Sequence, residues 1–305
     1  MTNIALYGII VFAWSTSWLA IKGQLGVVAP EVSVAYRFGL AAAIMLVICI
    51  AGRRRMRFGL RDHAYMMLQG MLLFSTNFYL AYLGSQYLTS GQVAVAFSTL
   101  VVMNMIGAAI FFGAAVTARM TLGAGLGIGG LALVFWPEIV AFDLSRVGTL
   151  GLMLTLAGTL FASLGMMTSA RNQRNGLPVI QANTYGMLYG TVFMTLVALA
   201  LGKSFDFEMS VIYVGSLAYL AVVASVVGFW SFLTLQGRIG AGRTAYAAVL
   251  FPVIALMLST VFEGFQWTPA AVGGIALVLL GNILVLATGP LFKGRRAKAV
   301  ASEAR

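Results

Sequence analysis

Ten stretches of about twenty apolar residues, divided by short charged connectors, dominate this chain. They run at approximately 4–22, 30–51, 64–84, 90–113, 120–137, 148–169, 179–201, 210–236, 243–262 and 268–289. The hydrocarbon core of a bilayer takes about 20 residues of helix. Backbone groups inside lipid must be satisfied within the protein, which favours helices there. The spacing therefore predicts an all-α integral membrane protein with ten transmembrane helices. Composition agrees: only 9% of residues are charged, against about 25% in an ordinary soluble domain. Five of the six prolines (Pro30, Pro137, Pro178, Pro269, Pro290) fall at or near the connectors, where a missing N–H costs no helix hydrogen bond. Met1 to Ala5 carries no basic side chain, so the first apolar run reads as a retained helix and not a cleaved signal.

The basic residues orient the chain. With the N-terminus in the cytoplasm, fifteen of the nineteen Lys and Arg lie in cytoplasmic segments, and only Lys22, Arg146 and Lys203 lie opposite. Arg37 is inside a span. This is the distribution of the positive-inside rule, and it places both termini in the cytoplasm of a bacterial inner-membrane protein. It also accounts for the net charge of +11 through anionic headgroups. No soluble domain presents that charge to nucleic acid.

A shift of 150–151 residues superimposes the chain on itself. Ser75, Tyr79, Tyr82 and Gln86 fall on Ser225, Phe229, Phe232 and Gln236, and Gly123 and Gly130 fall on Gly274 and Gly281. Near the start the shift is 147–148, placing Trp14 on Phe161 and Pro30 on Pro178. Each half holds five spans. An odd number makes the second half enter the membrane upside down, which is the inverted-repeat architecture of many secondary transporters. The expected organisation is a first repeat at 1–141, an inverted second repeat at 142–290 and a basic tail at 291–305.

Short motifs within these halves resemble the drug/metabolite transporter superfamily, in its ten-helix EamA-type branch. The resemblance covers about residues 4–289. It rests on Ala13-Trp14-Ser15-Thr16-Ser17 in the first span, Pro30 with Ala35-Tyr36-Arg37-Phe38 in the second, and the turn Tyr87-Leu88-Thr89-Ser90-Gly91. In the second half it rests on Ala241-Gly242-Arg243, Phe251-Pro252 and Glu263. The resemblance implies export of amino acids, other small metabolites or drugs through a central cavity. The chain also departs from the pattern. Phe112 stands where the first half would match Glu263, and the first helix has no acid, so direct proton exchange on such a carboxylate is not indicated.

No span carries an acid near its middle, so the pathway is expected to be built from neutral polar and aromatic groups. In the third span Ser75, Tyr79, Tyr82 and Gln86 share one face at helical spacing, with Asn77 and Phe78 beside them. Polar groups are costly against lipid, so this face should turn inward, as should Phe229 and Phe232 on its repeat. Tyrosine rings suit a large apolar side chain. Trp14, Ser17 and Trp18 in the first span read as cavity lining or as interfacial anchors. Thr155, Thr159 and Ser163 in the sixth read as lining or as helix–helix contacts. Tyr246 is a further lining candidate. Arg37 either pairs with Glu31 or backbone carbonyls, or faces a substrate carboxylate. Gly91, Gly242 and Pro252 mark positions where helices could pack closely or bend. Gly123, Gly127 and Gly130, with Gly273, Gly274 and Gly281, give close-packing faces to the fifth and tenth spans.

His63 and Cys49 are the sole histidine and cysteine. The sequence offers no paired carboxylates, metal-ligand spacing or phosphate-binding loop. No catalytic residue, metal or cofactor is therefore expected, and the chain is read as a transporter and not an enzyme. The expected partners are the lipid bilayer and a small-molecule substrate, an amino acid of the aromatic or large neutral type, in a monomer or weak homo-oligomer. An exporter of drugs or lipid-like amphiphiles is the alternative, and a non-transporting receptor or scaffold is the third class.

Overall fold

A computed structural model describes residues 1–136, 147–239 and 247–286. Every described element is helical. Ten spans follow in order. The first is Asn3–Lys22 and the second Pro30–Ala51. The third is Leu60–Gln69, a π-helical turn at Gly70–Thr76, then Asn77–Ser85. The fourth is Ser90–Phe97 followed by Leu100–Phe112. The fifth, sixth and seventh are Ala118–Val134, Val147–Arg174 and Val179–Ala200. The eighth is Val211–Ala218, a π-helical turn at Tyr219–Val227, then Gly228–Ile239. The ninth is Ala247–Glu263 and the tenth Pro269–Leu286.

Among the described residues, six helices are long and apolar enough to cross a bilayer on length and hydropathy. The rest fall short for physical reasons. The fifth and ninth are only 17 residues each, the third starts with Arg61, Asp62 and His63 and carries Gln69 and Asn77 further in, and the seventh starts with the buried Gln181, Asn183 and Thr184. Large apolar side chains such as Phe12, Ile110, Leu196 and Val261 are more than half exposed. In water they would be a liability, and in lipid they are at home.

The repeat is visible in the backbone. The two π-turns lie 150 residues apart, and each is braced the same way. Ser75 donates to the Gly70 carbonyl at 3.1 Å, and Ser225 to the Leu220 carbonyl at 2.9 Å. Both reach five residues back, the spacing of a π-turn. Left-handed glycines, Gly113 and Gly264, end the fourth and ninth spans, 151 residues apart. The fifth and tenth spans settle the inversion. A Cβ on Gly123 would lie 2.6 Å from the Gly281 carbonyl, and one on Gly130 would lie 2.4 Å from that of Gly274. Because Gly123 matches Gly274 and Gly130 matches Gly281, each residue touches the other's repeat mate. Two equivalent helices make such crossed contacts only when they run antiparallel about a two-fold axis.

The covalent repeats do not form two separate bundles. The first span packs on the eighth and ninth, while the sixth packs on the third and fourth. Each half thus lends its first helix to the other. The second and seventh spans pack together, and so do the fifth and tenth. The bundles that enclose the centre are spans three, four and six, and spans eight, nine and one.

Polar chains fix the spans at the side bearing most of the basic residues. Asn172 donates to Gln69 at 3.0 Å, and Gln69 to Asn183 at 2.7 Å, tying the sixth, third and seventh spans through buried amides. Tyr185 donates to the Met56 carbonyl at 2.7 Å, and the Tyr189 hydroxyl meets His63 Nδ1 at 2.8 Å. At the other side Thr89 opens the fourth span with a capping box to Gln92.

Candidate functional site

An aromatic string crosses from one bundle to the other. Ring centroids step from Phe78 to Phe38 at 4.9 Å, Phe38 to Phe74 at 5.5 Å, Phe74 to Phe229 at 5.7 Å and Phe229 to Trp14 at 5.4 Å. Trp14 continues to Phe232 at 5.3 Å and Phe251 at 5.6 Å. Its indole N–H donates to the Ala224 carbonyl at 3.0 Å, so the π-turn of the eighth span supplies the acceptor. Phe78, Tyr79, Trp14, Phe229 and Phe232 are all only partly buried.

Arg37 lies against this string. It is 3% exposed, and its guanidinium sits over the Phe78 ring at 4.4 Å and the Phe38 ring at 5.0 Å. Nε donates to Ser225 Oγ at 3.4 Å, which bridges the second span to the π-turn of the eighth. Nη1 has no partner. The expected pairing with Glu31 is not made: among the described residues the one salt bridge is Lys22–Glu263, at 3.8 Å. A cation within a span costs up to roughly 3 kcal/mol on the insertion scale, the figure for the helix centre. Stacking on aromatic faces returns about 0.5–2 kcal/mol, which leaves the charge incompletely compensated.

The polar stripe of the third span divides by function. Ser75 is fully buried and also donates to the Gly190 carbonyl at 2.8 Å, so its hydroxyl serves the contact with the seventh span. Asn77 is buried and donates to the Leu73 carbonyl at 3.1 Å. Tyr82 is fully buried and donates to Gln24 Oε1 at 2.5 Å. Gln86 ends the helix and is exposed, so the inward stripe stops one turn short of it. In the first span, Ser17 donates to the Trp14 carbonyl at 2.8 Å. Trp18 is buried against Phe97 at 4.9 Å and is not an interfacial anchor. Thr155 and Thr159 donate to carbonyls four residues back, at 2.8 and 2.7 Å, and Ser163 is buried. The two threonine hydroxyls are thus satisfied within their own helix. Pro252 lies buried inside the ninth span. Tyr246 and Gly242 lie outside the described residues.

The side facing away from most of the basic residues is closed. Glu263, at the end of the ninth span, accepts from the Ser90 backbone N–H at 3.1 and 2.9 Å and from the Ser90 hydroxyl, while Lys22 approaches at 3.8 Å. A carboxylate disfavours its own helix C-terminus but suits the N-terminus of the fourth span. Next to it Gly91 lies so close to Leu256 and Ser259 that a Cβ would meet both within 3 Å. Gly91 is therefore a close-packing residue at the closed face. At the matching place on the opposite side, Phe112 receives the Arg174 guanidinium at 3.9 Å.

Two participants were not singled out from sequence. Gln24 sits in the connector after the first span, where a lone glutamine gives no periodic signal. Tyr219 meets the Thr16 hydroxyl across the bundle, a pairing visible only once the first span is known to leave its own half.

The comparisons with known proteins agree with this architecture. The model of the EamA-like transporter family matches residues 2–136 and again 149–287. The uncharacterized transporter YyaM of Bacillus subtilis is 29% identical over 289 residues, covering 91% of each chain. A protein of Streptantibioticus cattleyicolor named "Probable terminal-alkyne amino-acid exporter" is 25% identical over 277 residues, covering 90% of each. A solved crystal structure covers 94% of this chain and 96% of its own at a TM-score of 0.68 and 15% identity, which supports the fold alone. Two consecutive copies of one transporter domain, with the inverted helix pairs seen above, leave one assignment: the chain is a membrane-spanning transporter, not an enzyme, and belongs to the EamA-like transporter family.

Proposed function

We propose that this transporter exports amino acids, with aromatic and other large neutral ones as the favoured class, by alternating access across a bacterial inner membrane. The observation that carries this is the aromatic string from Phe78 to Trp14, which runs between the two bundles beside a buried guanidinium whose Nη1 has no partner. Flat apolar walls take up a large side chain, and a buried cation attracts an anionic group. Partly buried Phe78, Tyr79, Trp14, Phe229 and Phe232 line the path, and Tyr246 is assigned to it by sequence. The relative named as an amino-acid exporter points the same way. The repeats end near residues 141 and 290, both termini face the cytoplasm with the basic connectors, and the protein works as a monomer or weak homo-oligomer.

The test is counterflow in proteoliposomes. Vesicles loaded with unlabelled L-phenylalanine should accumulate labelled L-phenylalanine well above protein-free vesicles, and the signal should saturate. If none of the twenty amino acids moves while hydrophobic amphiphiles do, the drug and lipid-like reading replaces this one.

A further inference from the structure

We infer that Arg37, Gln24 and Tyr82 form a binding site for the carboxylate of the transported molecule. This deepens the export reading and rests on it only in taking the space between the bundles as the place where substrate is held. Three polar side chains converge here from three elements: the connector after the first span, the second span and the third span. Gln24 is 1% exposed, Arg37 3% and Tyr82 0%. The Tyr82 hydroxyl faces the Arg37 guanidinium and donates to Gln24 Oε1.

The hydrogen-bond accounting is uneven in one direction. Arg37 Nη1 and Gln24 Nε2 are both buried N–H donors without an acceptor. Folded proteins rarely leave buried donors unpaired, and such groups point to an absent partner. Here both orphans are donors, one of them is cationic, and no carboxylate of the described chain pairs with the cation. A planar carboxylate supplies what is missing, since a guanidinium presents its N–H groups in a fork that fits two acceptor oxygens. Tyr82 holds Gln24 by its carbonyl oxygen, which turns the amide N–H2 away and leaves it free to donate.

Position adds to chemistry. Arg37 lies seven residues into the second span, about 10 Å below its outer end at 1.5 Å per residue. Gln24 is two residues beyond Lys22, whose ammonium approaches Glu263 at the closed face. The site therefore lies just beneath that closure. Phe78, under the guanidinium, begins the aromatic string, so a molecule held by its carboxylate at Arg37 would lay its side chain along the rings.

Ligand-induced thermal stabilisation of the purified protein tests this without requiring flux. The probes are L-phenylalanine, 3-phenylpropionate, which keeps the carboxylate but lacks the amine, and phenethylamine, which keeps the amine but lacks the carboxylate. Wild type should be stabilised by the first two and not by the third. Arg37→Gln should weaken the apparent affinity for both carboxylates at least tenfold. Arg37→Lys should recover part of it, and Gln24→Ala should weaken it several-fold. Gln24 lies in a connector, so that variant remains informative even where Arg37→Gln does not fold. No stabilisation by either carboxylate, equal stabilisation by phenethylamine, or carboxylate affinity unchanged in Gln24→Ala and Arg37→Lys would each overturn the inference. The two readings fail separately. Arg37-dependent carboxylate binding without amino-acid counterflow removes the export reading and keeps the site. Counterflow that ignores these substitutions does the reverse.

Discussion

Gly274→Ala should lower the midpoint of thermal unfolding in detergent by about 5 °C or more, whereas Gly273→Ala next to it should leave the midpoint unchanged or raise it slightly. Helix propensity alone favours alanine over glycine by up to about 1 kcal/mol, so any loss at Gly274 must come from packing. A Cβ there would lie 2.6 Å from the Gly130 carbonyl and 2.8 Å from a Val134 methyl. Backbone cannot yield as a flexible side chain can, so the fifth and tenth helices would have to separate. Overpacking of this kind costs about 1–3 kcal/mol, and each kcal/mol moves the midpoint by roughly 2–4 °C in a chain of this order of size. Gly273 has nothing within 4 Å of its added Cβ, and neither do Gly125 and Gly129 on the fifth span. Gly130→Ala should therefore reproduce the loss and Gly129→Ala should not. Equal behaviour at the packed and open glycines would remove the crossed glycine contact as the element that joins the two repeats.

Glu263→Gln should loosen the closed face. The carboxylate holds the start of the fourth span through Ser90 and has Lys22 within 4 Å. Hydrogen bonds to a charged group are worth about 1.5–3 kcal/mol. Losing the charge at constant shape should raise the open population about tenfold or more, since 1.4 kcal/mol is a factor of ten. The readout is the reaction rate of Ser259→Cys with a membrane-impermeant thiol reagent. Ser259 is fully buried beside Gly91, so its cysteine reacts only when the face opens. The native Cys49 is buried against Thr184 at 3.5 Å and can be replaced by serine. A rate that does not change on Glu263→Gln would show that Glu263 caps a static corner.

Some features were legible in the sequence because lipid enforces them. A helix must stay apolar over the thickness of the bilayer, so the expected ends at 30–51 and 179–201 differ from the observed Pro30–Ala51 and Val179–Ala200 by at most one residue. The inversion was legible from the odd number of spans, five, in each half of the repeat. The exchange of first spans was not, because Trp14 reads the same whether it faces the third span or the eighth. Ser75 shows the limit of spacing within the polar stripe of the third span. Ser75 lies on an inward face, as its spacing required, but that face meets the seventh helix at Gly190 before it reaches open space. Arg37 was noticed as a charge in a span. Its lack of a counter-ion emerged only when the structure placed Ser225, and not a carboxylate, against it.

The central claim is that spans three, four and six move against spans eight, nine and one, so that one side closes as the other opens. Paired spin labels measure this most directly. One pair, at Tyr87 and Gln266, spans the closed face. The other, at Ile4 and Val116, spans the opposite side. All four positions are exposed. Going from the wild-type protein to Glu263→Gln, the first distance should lengthen while the second shortens. A first distance that lengthens with the second unmoved, or two distances that change in the same sense, would contradict alternation between these bundles.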